Sequence, residues 1–244
     1  MRRIKKAAVL GSGLMGSGIA AHFANIGLEV LMLDIVPFDL TEEQKQDPAH
    51  RNRIVNQAMK NLKKAKPAPL YHKDYINRIQ VGNLEDDLHK IKDADWIIEV
   101  VIERLDIKQQ LFERVEEHRT PGTLITSNTS GIPIKLMLDG RSDDFKKHFM
   151  GTHFFNPPRY LRLFEMIPHE GTDPAVIEFF ENYGDRFLGK QPVLSKDTPG
   201  FIGNRVGIYA GAKVMEASEK YNLTISEVDK LTGPLIGRPK TGTF

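Results

Sequence analysis

Apolar and polar positions along this chain fall into blocks that predict strand, helix and strand in turn. Residues 7–10 form a short apolar run that stops at Gly11, and residues 14–26 place apolar groups at helical spacing. Gly27 suits a left-handed helix end, and a second apolar run over 30–33 stops at Asp34, completing a βαβ unit. Residues 41–93 are mainly polar. The stretch 42–66 has helical character, interrupted at Asp47-Pro48 and ended by Pro67 and Pro69, so an inserted helical arm over about 41–75 is expected. Strands are expected at 79–81 and 96–102, the latter an apolar run broken only by Glu99, as a buried parallel strand would be. A helix over 108–117, a strand over 123–127, strands over 150–155 and 162–167, a helix over 174–187 and a strand over 192–195 continue the alternation. Beyond Lys196 the pattern turns helical, over 201–220 and 226–231.

This order predicts an α/β fold: a Rossmann-like, doubly wound, mainly parallel sheet over 1–195 with an inserted helical arm, followed by the start of an all-α domain over 196–244 that looks truncated. The 244 residues suffice for a real core, and 40% hydrophobic with 27% charged residues excludes disorder. Thirty-four basic against 32 acidic residues leave a formal charge of +2, too balanced for a dedicated nucleic-acid binder. No apolar run is long enough to span a membrane, so a cytoplasmic or organelle-matrix protein is expected. The absence of Cys removes thiolate nucleophiles and Cys-based metal sites, and no metal is expected.

Gly11-Ser12-Gly13-Leu14-Met15-Gly16 matches G-x-G-x-x-G between a predicted strand and helix, the context a dinucleotide fingerprint requires. Gly11 permits the turn, Gly13 admits a pyrophosphate to the backbone, and Gly16 allows close helix packing. Asp34, 18 residues past Gly16, is placed to accept from both ribose hydroxyls and to repel a 2′-phosphate, which favours NAD over NADP. A merely solvated Asp at a strand end is the plainer alternative. Glu103, Lys108, Asn128 and Ser130 fall at or beyond the C-terminal ends of later strands, the edge where open α/β sheets bind ligands; surface charges and a capping turn explain them equally well.

His153-Phe154-Phe155-Asn156-Pro157 is followed, 12 residues after His153, by Glu165 inside an apolar strand. A carboxylate there needs a partner. A His at the end of one strand and a Glu in the next can pair across the turn, the Glu fixing the imidazole tautomer for acid/base work. Between Lys45 and Lys73 there are eight Lys or Arg against one acid, Asp47. Such a run is ordinarily a solvated helix face; the functional alternative is a cationic cradle for phosphates, with Lys64 and Lys66 as contributors.

Together with the motif Lys196-Asp-Thr-Pro-Gly-Phe-Ile-Gly-Asn-Arg205, these segments resemble the L-3-hydroxyacyl-CoA dehydrogenase family nearly end to end. The resemblance implies NAD-dependent oxidation of a (S)-3-hydroxyacyl-CoA, with the arm embracing coenzyme A. It implies His153 as general acid/base, Glu165 as its electrostatic partner, and Ser130 and Asn204 as positioners of the substrate oxygen. Gly11, Gly13, Leu14, Met15, Gly16, Asp34, Glu103, Lys108 and Asn128 would contact NAD, and Ser130, Lys64 and Lys66 the CoA substrate. The segment 237–244 resembles the middle of the family's helical domain, so a fragment of a longer multifunctional β-oxidation protein is expected, either dimerising or packing on the rest of that polypeptide. Two other readings remain open: a dehydrogenase of another hydroxy acid, and a module that binds NAD or CoA with little activity alone.

Overall fold

A computed structural model describes residues 3–237 and 243, and the chain separates into two compact units, 1–199 and 200–244. In the first, β1 (Lys6–Leu10) runs into α1 (Leu14–Asn25) and then β2 (Glu29–Asp34). Gly27, at φ +92°, reverses the chain after α1, and the amide of Leu28 donates back to the Phe23 carbonyl. The arm follows, built on α2 (Pro48–Arg51) and α3 (Arg53–Lys64), with the Asp47 side chain accepting from the Ala49 amide at the start of α2. Next come β3 (Ile79–Asn83), β4 (Trp96–Glu99), α4 (Leu105–His118) and β5 (Leu124–Ser127). The unit ends with α5 (Asp143–Lys147), β6 (Phe149–Phe154), β7 (Leu163–Ile167), α6 (Pro174–Arg186) and β8 (Gln191–Leu194).

The eight strands form one sheet in the order β3-β2-β1-β4-β5-β6-β7-β8. Pairing is parallel from β3 through β6, β7 is antiparallel to β6, and β8 is parallel to β7. The chain leaves β1 toward β2 on one side and later returns as β4 on the other, so strand order reverses beside the glycine turn. Ligands of open α/β sheets bind at such a point.

Strand periodicity sorts the side chains onto two faces. Trp96, Ile98, Leu124, Met150, Phe154, Phe164 and Met166 share a core with Phe23 of α1, Val55 of α3 and Phe180 of α6. The intervening positions, Ile97, Glu99, Ile125, Ser127, His153 and Glu165, therefore face the other way, toward α4. There Phe112, Phe145 and Phe149 pack ring on ring. β4 ends at Glu99, short of the apolar run to Ile102, because the Glu99 side chain accepts from the Val101 amide and turns the chain out of the sheet. The helix expected from Lys108 begins a turn earlier, at Leu105.

The second unit holds α7 (Gly203–Lys220) and α8 (Ile225–Thr232), the latter opened by a capping box between Thr224 and Glu227. Among the described residues no helix is long and apolar enough to cross a membrane.

Candidate active site

Two glycines in the turn after β1 are fixed by sterics. Gly11 sits at φ +109°, and a Cβ there would lie 2.5 Å from the Val100 carbonyl oxygen; one on Gly16 would lie 1.9 Å from the Gly11 oxygen. Gly13 differs: a Cβ would meet nothing within 4 Å. The protein itself does not require glycine there, which fits a turn kept bare for a ligand's approach. Gly13 is also the N-cap of α1, with no side-chain cap and no acidic residue in the first turn, so the helix's first N–H groups and its positive dipole end suit a pyrophosphate. Leu14 is exposed, while Met15 packs against the core. Asp34 closes β2 beside this turn. Its Oδ2 accepts from the Ser12 amide at 2.6 Å and the Ser12 hydroxyl at 2.5 Å, and its Oδ1 from the Ile35 amide at 2.7 Å. The carboxylate is thereby oriented at the sheet edge, as recognition of a ribose diol requires. These residues fit NAD.

His153 and Glu165 stand directly opposite in the antiparallel pairing of β6 and β7. Both are buried, and His153 Nδ1 lies 2.7 Å from Glu165 Oε2. An ionised carboxylate only accepts, so Nδ1 carries the proton and Nε2 presents its lone pair. Nε2 lies 3.2 Å from Ser130 Oγ. Ser130 is held in turn, because Glu103 Oε1 accepts from the amides of Ser130 at 3.0 Å and Gly131 at 3.1 Å and from the Thr129 hydroxyl at 2.5 Å. Burial works against the Glu103 carboxylate, yet Thr129, the Lys108 ammonium and the Ser130 amide together hold its pKa below the usual range.

Lys108 is fully enclosed. Its Nζ lies 2.6 Å from Glu99 Oε1 and 3.3 Å from Glu103 Oε2, so it bears on the sheet edge through Glu103. Glu99, equally enclosed, also accepts from the Ser127 hydroxyl at 2.5 Å. Burial pushes its carboxyl above the ordinary value, opposed by Lys108 and the other donors. Asn128 Oδ1 accepts from the Phe154 amide at 2.8 Å, tying the end of β5 to the residue after His153. One continuous network thus runs from Glu99 through Lys108, Glu103, Ser130 and His153 to Glu165.

A cleft of about 700 Å³ opens between the glycine turn with α1, the arm, and the loop that follows β6. Ser12, Gly13 and Asp34 line one side, Asn61 and Lys66 the arm side, and Asn156 to Arg159 the third. Lys66 lines this cleft; Lys64 is not among its lining residues and is exposed at the end of α3. Asn204 belongs to α7 in the second unit. A larger cavity, about 1050 Å³, opens beside the N-terminal ends of β1, β2 and β6 and contains none of the expected site residues.

Glu99, Thr129 and Arg159 were not singled out as parts of the site. Glu99 carried a signal, being the one charged residue in an otherwise apolar strand, and Thr129 stands within the polar turn between Asn128 and Ser130; Arg159 carried none.

Residues 6–198 match the family described as "3-hydroxyacyl-CoA dehydrogenase, NAD binding domain". A probable 3-hydroxyacyl-CoA dehydrogenase of Bacillus subtilis is 55% identical over 249 residues, an alignment taking in 100% of this chain and 32% of that protein. One of Deinococcus radiodurans is 48% identical over 99% of this chain and 68% of its own length. The crystal structure of 3-hydroxybutyryl-CoA dehydrogenase from Escherichia coli superposes with a TM-score of 0.76 at 28% identity, covering 94% of this chain and 46% of that one. The chain thus spans about a third of its Bacillus relative and about two thirds of its Deinococcus relative. It belongs to the 3-hydroxyacyl-CoA dehydrogenase family, whose NAD-binding domain it carries.

Proposed function

We propose that this chain carries the NAD-binding and acid/base machinery for reversible oxidation of a (S)-3-hydroxyacyl-CoA to the 3-oxoacyl-CoA. The observation that carries this reading is the aligned series Glu165, His153 and Ser130, with Nε2 directed at a hydroxyl 3.2 Å away. A secondary alcohol seated beside the Ser130 hydroxyl, within reach of Nε2, can give its proton to Nε2. Glu165 then stabilises the imidazolium, and the reverse reaction returns the proton by the same route. Nicotinamide dinucleotide, when bound, supplies the acceptor for the hydride that leaves C3. Ser130 holds the substrate oxygen, and Glu103, steadied by Lys108, fixes the main chain of Ser130. For Asn204 the support is the family likeness of its motif.

In this reading the glycine-turn side of the cleft takes the dinucleotide and the arm side takes the CoA portion. Lys66 supplies positive charge to its phosphates, and the mostly apolar lining suits a pantetheine chain. Lys64, off the cleft, contributes charge from outside. Residues 1–195 form the NAD-binding domain and 196–244 begin a helical one. Val206, Ile208 and Tyr209 of α7 are exposed, which supports a partner surface there, for a second copy or the remainder of a longer polypeptide.

The experiment is oxidation of NADH by acetoacetyl-CoA, with NADPH and free acetoacetate run beside it. Turnover with NADH and the thioester alone is expected. Equal turnover of the free acid would remove the CoA assignment. NADH and CoA binding without turnover, restored in a longer polypeptide, would favour the second reading, a binding portion of a multifunctional protein. The chain's covering only 32% of its Bacillus relative makes that reading specific.

A further inference from the structure

Lys190 is the feature of the first unit that the proposed chemistry leaves unused. It lies between Gly189, at φ +63°, and β8, with only 2% of its surface exposed. Among the described residues no carboxylate lies within salt-bridge distance of its ammonium. Nζ instead donates to two main-chain carbonyls, those of Pro158 and Leu161, the latter at 2.7 Å. Burial pushes its pKa down to about 8. An ammonium taken out of water without a counter-ion is an expensive way to fill space, and a methionine would fill it with no charge to desolvate. What the ammonium adds is direction. It gathers two carbonyls of the loop between β6 and β7.

Those carbonyls belong to the loop that forms the third wall of the 700 Å³ cleft. The same loop grips the arm. Arg159 donates to the Ala68 carbonyl at 2.6 Å and the Leu70 carbonyl at 2.9 Å, and its guanidinium lies 4.5 Å from the centre of the Tyr71 ring. The Tyr160 hydroxyl donates to the Ala68 carbonyl at 2.8 Å. On its inner side the loop rests on α1, where Pro158 approaches Gly18 so closely that a Cβ would lie 3.0 Å from it. The stem of Lys190 is itself pinned, its amide donating to Gly184 at 2.8 Å and that of Gln191 to Arg162 at 2.7 Å. His22 of α1 is the titratable neighbour on this side, and burial, Lys190 and Arg159 keep it neutral, so it places no second charge against the ammonium.

We propose that Lys190 is a positioning residue for the substrate cleft: by holding the carbonyls of Pro158 and Leu161 it fixes the loop through which Arg159 and Tyr160 clasp the arm over the acyl-CoA. This rests on the proposed function for the identity of the substrate, and not for the clasp itself.

Two readouts test it on the same chain: the rate of tryptic cleavage at Lys63, Lys64 and Lys73 of the arm, and the kinetics with acetoacetyl-CoA and NADH. For Lys190→Met, faster arm cleavage is expected, together with a rise in KM for acetoacetyl-CoA of roughly tenfold to a hundredfold, the loss expected for a charged hydrogen-bonding group. kcat should stay within about twofold, the KM for NADH should rise by less than that for acetoacetyl-CoA because the glycine-turn wall of the cleft is untouched, and Lys190→Arg should recover part of the loss. Tyr160→Phe, at a half-exposed side chain that leaves the core alone, should move cleavage and KM in the same direction by less. In the double variant it should add little to Lys190→Met. Unchanged arm cleavage in both single variants overturns the clasp, whatever the activity. Faster cleavage with unchanged KM, or full additivity in the double variant, overturns its link to the cleft. A wild-type chain that neither binds nor turns over acyl-CoA sinks the functional reading, while the cleavage rates still decide the clasp.

Discussion

His153 and Glu165 face each other across the only antiparallel pairing in the sheet's described ladder, Nδ1 to Oε2 at 2.7 Å. Directly opposed residues on neighbouring strands share a face, so both side chains point toward the α4 side, where the network from Glu99 to Ser130 converges. The pairing determines the tautomer, and the tautomer leaves Nε2 as the base.

Replacing the imidazole by an uncharged amide of similar length should remove the base and leave the dinucleotide site intact. His153→Gln is expected to lower kcat by about 10² to 10⁴, the usual range for general acid/base catalysis. Glu165→Gln, which keeps the packing but not the charge, should lose roughly tenfold to a hundredfold. Steady-state kinetics beside NADH fluorescence titration measures both; full turnover in His153→Gln would remove the mechanism.

Asp34 is held by the Ser12 amide and hydroxyl in the place where a ribose diol is read. Asp34→Ser should therefore erode discrimination between the two dinucleotides, lowering kcat/KM with NADH and raising it with NADPH. A ratio unchanged from wild type would contradict the ribose assignment.

The enclosed pair of Lys108 and Glu99 is costly to break from one side. Lys108→Met strands a buried carboxylate and should destabilise the chain by about 3 to 5 kcal/mol. Glu99→Gln combined with Lys108→Met should recover much of that. Urea unfolding of the wild type and the two variants gives the comparison, and equal losses in the single and double variants would show that the pair is not coupled.

His22 is buried, and its pKa is lowered to about 4, first by desolvation and then by Lys190. Above about pH 6.5 the ring is neutral in both folded and unfolded chains and adds no pH dependence. Between 6.5 and 4 the unfolded chain takes up the proton and the folded chain does not, so stability is lost as the pH drops through that window. The loss has an upper bound of about 3 kcal/mol, from 1.36 kcal/mol per pKa unit. His22→Gln keeps a donor for the Leu188 carbonyl and should flatten this part of the profile, read as the urea midpoint from pH 7 to pH 4. A slope identical to wild type would show that other groups account for it.

The parts of this protein that local rules govern were legible from residue order. Gly16 answers to the Gly11 carbonyl earlier in the same turn and Gly11 to its own positive φ, the strands to a period of two, and the 12-residue interval between His153 and Glu165 to a turn joining adjacent strands. The family resemblance rested on those same segments, and the match over residues 6–198 agrees with it. Tertiary packing decided the rest. Lys66 and Lys64 read alike in a basic run, and only the path of the chain after α3 sets one on the cleft. Lys108 looks like any helix-start charge until α4 lies against β4 and encloses it with Glu99. Lys190 has no local pattern at all, because its two acceptors stand about thirty residues back along the chain. A side chain's burial and partners depend on which distant segments meet it, and no short-range periodicity encodes that.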